Sequence, residues 1–211
     1  LARDRRRWGI LAHVGSLPGP FGAGTVGASA RDWVRTLALQ GAGIWQFLPL
    51  GPTEGLSGHS PYAALSAFAG NPLLVDPGDL WQEGWMAGAP PLGEEDGKGM
   101  VDWARVEAQR TAQLRISHEA FQAEADAVTR QEQEAFARRE SFWLKDYALH
   151  RALSDALGTR NWRTWPLGLR DRRPSALRQA AEDLRVERDA EVHAQFLFHR
   201  QWRRLQTCAR E

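Results

Sequence analysis

Apolar residues along the chain follow two different rhythms. Up to residue 78 they come as short runs punctuated by Gly and Pro; from Leu80 onward the punctuation thins and the spacing becomes helical. In the first part, Gly9-Ile10-Leu11-Ala12-His13-Val14 is a continuous run with a turn cluster behind it, the pattern of a strand buried on both faces. Ser29-Ala30-Arg31-Asp32 places a capping hydroxyl three residues before a carboxylate in the first turn of a helix. Trp33, Leu37 and the alanines between them continue that helix until Gly41 and Gly43 end it. Ile44-Trp45-Gln46-Phe47-Leu48 reads as a second strand, stopped by Pro49, which has no N–H to give a ladder. Strand, helix and strand joined by short connections make two parallel neighbours, the building block of α/β barrels and doubly wound sheets alike.

The second part reads as a Pro/Gly/acid loop from Met86 to Gly99 followed by long helices. Phe136, Trp143, Leu144, Tyr147 and Leu157 recur at helical spacing, Glu134 precedes Arg138 by four, and Gly158 stands where a left-handed helix cap belongs. Asn161 to Pro174 is a connector, and a last helix is expected from about Ser175, with Phe198, Trp202 and Leu205 on one stripe.

Composition narrows the function classes. With 211 residues, 43% hydrophobic and 25% charged, the chain falls in the globular range, large enough for one domain or one domain with an insertion. Lys plus Arg total 27 against 26 Asp plus Glu, a net charge of +1, so no field draws in nucleic acid or an acidic membrane, and the Arg-rich helices read as solvated faces. The single cysteine, Cys208, cannot form an internal disulfide and fits a reducing compartment, so the expected location is cytoplasmic. No apolar run approaches the roughly 20 residues of a membrane span, and the apolar stretch behind Arg3, Arg5, Arg6 and Arg7 is too short for a signal peptide. A start at Leu1 rather than Met suggests a fragment or a processed chain. Ten tryptophans could stack on sugars, but spread from Trp8 to Trp202 they read first as core.

Gly22-Ala23-Gly24-Thr25-Val26-Gly27 fits the dinucleotide-binding pattern G-x-G-x-x-G and raises a nucleotide-binding oxidoreductase as an alternative. In that fold the glycines follow the strand directly, whereas Gly15 to Phe21 intervene here, and the acid expected about 20 residues on is replaced by Phe47-Leu48-Pro49. The glycines therefore read as a tight loop, and neither cofactor nor metal is expected.

Three blocks in order carry a resemblance: Gly9 to Gly19 (GILAHVGSLPG), Trp45 to Thr53 (WQFLPLGPT) and Ser60 to Leu74 (SPYAALSAFAGNPLL). Together they resemble the amylomaltases, the 4-alpha-glucanotransferase or disproportionating enzyme family. Phe142 to Leu149 and Phe196 to Trp202 are similar to two of the family's helices. The resemblance implies a partial (β/α)8 TIM barrel, with residues 1–78 as its start and first two strands and residues 79–211 as a mostly helical insertion, the rest of the barrel lying beyond this sequence. It also implies transfer of α-1,4-glucan segments between maltooligosaccharides by a retaining double displacement, which needs two carboxylates about 5–5.5 Å apart at the C-terminal ends of strands. Residues 8–78 contain only Asp32, Glu54 and Asp76, and only Glu54 lies on a loop after a strand. The family's acids fall on later strands, so no catalytic residue is assigned and the chain alone is expected to be inactive.

Substrate-binding candidates remain. Tyr62 matches the family's active-site tyrosine, with Ser60 beside it; His13 and Ser16 fall at the top of strand one. Asn71 reads as a turn-fixing amide. Where many members have Tyr-Gly-Asp, this chain has Ser57-Gly58-His59, so an aromatic platform is missing there. A catalytically silent glucan-binding or helical interaction module is the other reading the residues leave open.

Overall fold

The structure is a computed structural model that describes residues 7–92 and 100–211. Arg3, Arg5, Arg6 and the last part of the Met86–Gly99 loop lie outside the described residues. The described chain is mostly helical, with one small two-stranded parallel sheet. Strand β1 (Gly9–Leu11) leads through the glycine-bearing loop to helix α1 (Ala28–Leu39) and strand β2 (Ile44–Gln46), then to α2 (Pro77–Gln82), α3 (Trp103–Glu124), α4 (Ala127–Arg139), α5 (Ser141–Ala156), α6 (Leu167–Arg170), α7 (Pro174–Asp183) and α8 (Arg185–Cys208). The two strands pair in parallel, Gly9 opposite Ile44 and Leu11 opposite Gln46, so the strand-helix-strand unit forms as expected.

Both strands are shorter and barer than expected. Leu11 is 59% and Ile44 51% exposed, so the first strand is not buried on both faces: among the described residues the sheet has two strands, and no further strand flanks it. The start of α1 also differs. The helix begins at Ala28 behind Gly27 and has no side-chain cap, so Ser29 lies inside it, and Asp32 falls beyond its first turn and pairs with Arg35 at 2.8 Å. A carboxylate does reach that end from far along the chain: Asp76 stands against Gly27, close enough that any Cβ there would overlap it.

The helix ends obey local chemistry. α1 stops at Gly41 (φ +79), where Ala42 N–H bonds the Leu37 carbonyl and Gly41 N–H that of Ala38. α5 stops in the same way at Gly158 (φ +63), with Thr159 bonding back to Ser154. The expected last helix is instead two, α7 and α8, broken at Leu184 (φ −106, ψ 30). The exposed loop expected from Met86 begins with a buried Met86, because Trp85 folds back and stacks on Phe121 of α3 with ring centroids 5.0 Å apart.

The chain divides into two compact units, residues 1–123 with 197–211, and residues 124–196. In the first, Val14, Val26, Leu74, Val75, Leu80 and Val106 are fully buried between loops, α1, α2 and α3. The second packs Phe136, Leu144, Leu153 and Phe196 into its own core, with Phe136 and Phe196 rings 6.0 Å apart. Of the tryptophans, only Trp85 and Trp165 are buried; Trp8, Trp81 and Trp162 are exposed, so the core reading of these residues holds only in part. Among the described residues no helix is long and apolar enough to cross a membrane.

Candidate functional site

The segment that matches the family signature is held in place by side chains distant in sequence. Asn71, buried, accepts from Leu73 N–H at 3.0 Å through its own Oδ1, an amide-closed turn that starts a short 3-10 helix, Pro72–Leu74. Asn71 therefore fixes a turn, as its sequence context suggests. Arg110 of α3, entirely buried, donates from Nε to the Leu73 carbonyl (3.2 Å) and from Nη1 to Gln113 (3.1 Å). Burial lowers its pKa to about 10, opposed by attraction to Asp76, so the guanidinium is still charged at neutral pH.

Asp76 is the hub of this arrangement. Its carboxylate accepts a short hydrogen bond from Thr25 Oγ1 and one from Asp79 N–H at 3.0 Å, which caps α2. Its main chain is bracketed by the Gln201 amide, N–H to Oε1 at 2.7 Å and Nε2 to carbonyl at 3.0 Å. Asp79 in turn forms a two-pronged pair with Arg31 at 2.8 and 2.9 Å. Both acids are thus committed to structure.

The same geometry accounts for the glycine motif. A Cβ at Gly24 would strike the Val14 carbonyl and one at Gly27 the Asp76 carboxylate. The helix N-terminus, where a dinucleotide fold receives a phosphate, therefore faces an anion of the protein itself. The glycines serve close packing of chain on chain.

Because β1 and β2 are parallel, the loops that follow them leave the same end of the sheet. His13 lies just beyond β1, with Nδ1 buried and without a partner; burial lowers its pKa. Ser16 is exposed in the short turn Val14–Ser16. Beyond β2, the chain makes two tight turns, Gly55–Ser57 and Pro61–Ala63. Ser60 caps the second without a side-chain bond, and Tyr62 projects 76% exposed. Tyr62 and Ser60 share an end of the sheet with His13 and Ser16.

One constellation escaped the sequence reading. His59 stacks on Trp103 of α3, with centroids 5.2 Å apart and planes at 22°. Its Nδ1 lies 3.2 Å from Thr53 Oγ1, and its Nε2 3.9 Å from Glu107 Oε2. The same Trp103 ring approaches the position of a Cβ on Gly15, beside His13, so it links the loops after both strands. The sequence offered only an i,i+4 pair on a helix, Trp103 and Glu107, with nothing to say what they faced.

The sequence profile of the 4-alpha-glucanotransferase family matches residues 12–211. This chain belongs to the 4-alpha-glucanotransferase family. It is 42% identical over 204 residues to the 4-alpha-glucanotransferase of Thermus thermophilus, covering 97% of this chain and 40% of that protein. It is 35% identical to that of Aquifex aeolicus, again with 96% of this chain and 40% of the relative. Among solved structures, the amylomaltase from Streptococcus agalactiae in complex with acarbose is similar with a TM-score of 0.84 and 28% identity, over 98% of this chain and 41% of that one. The chain therefore spans about two fifths of the length of the relatives it matches.

Proposed function

We propose that this chain forms one wall of the glucan site of a 4-alpha-glucanotransferase, which moves α-1,4-glucan segments between maltooligosaccharides by a retaining double displacement. In this reading residues 1–78 begin a (β/α)8 barrel, β1 and β2 are its first strands, and residues 79–211 are mostly an insertion before the third. The observation that carries the proposal is the juxtaposition of a family match over nearly the whole chain with an exposed Tyr62 beyond the C-terminal end of β2, where barrel enzymes bind substrate. An exposed phenol offers a flat face to a glucose ring and a hydroxyl at its edge. Ser60, His13 and Ser16 complete the wall; a neutral His13 can both give and take a hydrogen bond from a sugar hydroxyl. The related Streptococcus agalactiae amylomaltase binds acarbose, which supports a glucan as the ligand here.

The carboxylates of the double displacement come, in this proposal, from the family's later strands. Asp32 is paired with Arg35 and Asp76 and Asp79 are built into the fold, which leaves Glu54 as the one acid of residues 8–78 on a loop at the relevant end. One carboxylate cannot be both nucleophile and proton donor. The test is to incubate the purified 211-residue chain with maltotriose: no sugar redistribution is expected, while maltoheptaose protects Tyr62 from chemical modification. Glucose together with maltopentaose from the chain alone would overturn the assignment of chemistry to other strands, and an unprotected Tyr62 would overturn the wall.

A further inference from the structure

Gly58 and His59 occupy the left-handed region in succession, φ +61 and +54. Glycine takes that conformation freely; an L side chain holds it only where the surroundings over-determine it, and such outliers gather at functional sites. The surroundings of His59 do so from three directions. Its side chain is only 6% exposed, with the ring laid on Trp103. Leu73 N–H fixes the Asn71 amide, Asn71 Nδ2 donates to Thr53 Oγ1 at 3.1 Å, and that hydroxyl meets His59 Nδ1. Nε2 faces Glu107 one helical turn beyond Trp103. On the main chain, His59 N–H closes the turn onto the Glu54 carbonyl at 2.9 Å.

Directly after this clamp the chain enters the turn that carries Ser60 and Tyr62, closed by Ala63 N–H to the Ser60 carbonyl at 3.1 Å. A side chain as exposed as Tyr62 has little packing to aim it, so its direction is inherited from the backbone that carries it. We infer that His59, gripped between Trp103 and the Thr53–Asn71 pair, is a positioning residue that fixes the turn so that Tyr62 is presented to a glucan in one orientation. This rests on the reading of Tyr62 as a glucan-binding residue. The gain is preorganisation: a ring already held where the sugar needs it loses little freedom on binding.

The chain has two tyrosines, Tyr62 and Tyr147, the second in the other compact unit, so fluorotyrosine labelling gives one reporter and one internal control. In the parent chain maltoheptaose shifts the Tyr62 fluorine resonance. In Trp103→Leu that resonance narrows and the apparent affinity falls about tenfold, while the Tyr147 line and the far-ultraviolet circular dichroism stay unchanged. Trp103→Phe, which keeps a ring to stack on, restores affinity to within about twofold of the parent. If Trp103→Leu fails to fold, His59→Asn makes the same test, since Asn accepts the left-handed backbone but cannot stack. Parent-like Tyr62 lines and affinity in the folded variants overturn the inference. Narrowing without any maltoheptaose response, even in the parent, upholds the clamp and overturns the glucan reading instead.

Discussion

Asp76→Ala is the substitution whose cost follows most directly from the structure. Besides its attraction to Arg110, the carboxylate makes three interactions that Ala removes together. As the cap of α2 it accepts from Asp79 N–H, and loss of such a cap costs about 1 kcal/mol. It is the partner of Thr25 Oγ1, a side chain 2% exposed, and a hydroxyl left buried without a partner costs about 1–3 kcal/mol. It also stands at the N-terminus of α1, where a negative charge is worth about 0.5 kcal/mol. The sum is about 2.5–4.5 kcal/mol, a large share of the 5–15 kcal/mol that holds a typical domain together. Asp76→Asn separates the causes. Asn keeps an oxygen for the cap, and Thr25 can turn its hydroxyl to accept from the new amide, so the expected cost is about 1 kcal/mol. Urea unfolding of the chain followed by tryptophan fluorescence measures both, with equal slopes showing that the change lies in stability rather than in the denatured state. An Ala variant within about 1 kcal/mol of the parent, or an Asn variant as damaged as Ala, would refute the account of Asp76 as a buried hub.

Packing and protonation each give a further outcome. Gly70→Ala would drive a Cβ into the buried Phe198 ring of α8, and overpacking of this kind costs about 1–3 kcal/mol, so a lowered melting temperature is expected and an unchanged one would show that the ring can move aside. Burial depresses the His13 pKa, and burial with the nearby Arg151 charge depresses that of His150. The unfolded chain then takes up these protons first as the pH falls through 6.5, so the stability present above that value is lost below it. Thermal melts across that range should show a shallower acid limb in His13→Gln, and identical limbs in parent and variant would refute the assignment.

What was legible in the sequence was legible because it is local. Whether a run of residues is strand or helix depends on neighbours one to four positions away, and the parallel pairing of β1 and β2 comes from their short helical connection. Gly41 and Gly158 end helices because only their own backbone is at issue. The family, too, shows in contiguous blocks. Local pattern puts Asp32 on a helix and Glu54 on a loop, but it does not say what any acid meets. Asp76 became a buried structural carboxylate only because Thr25 and Gln201, 51 and 125 residues away, close around it. The cap of α1 was misplaced on Ser29 for the same reason: the carboxylate at that helix end arrives from outside the segment. His59 registered only as the last residue of Ser57-Gly58-His59, since its partners Trp103 and Glu107 lie 44 and 48 residues further along the chain. The sequence alone determined the strand-helix-strand start, the helical remainder and the family; packing decided which polar side chains are spent on holding the chain together and which are left facing solvent, because desolvation and hydrogen-bond geometry exist only once distant segments meet.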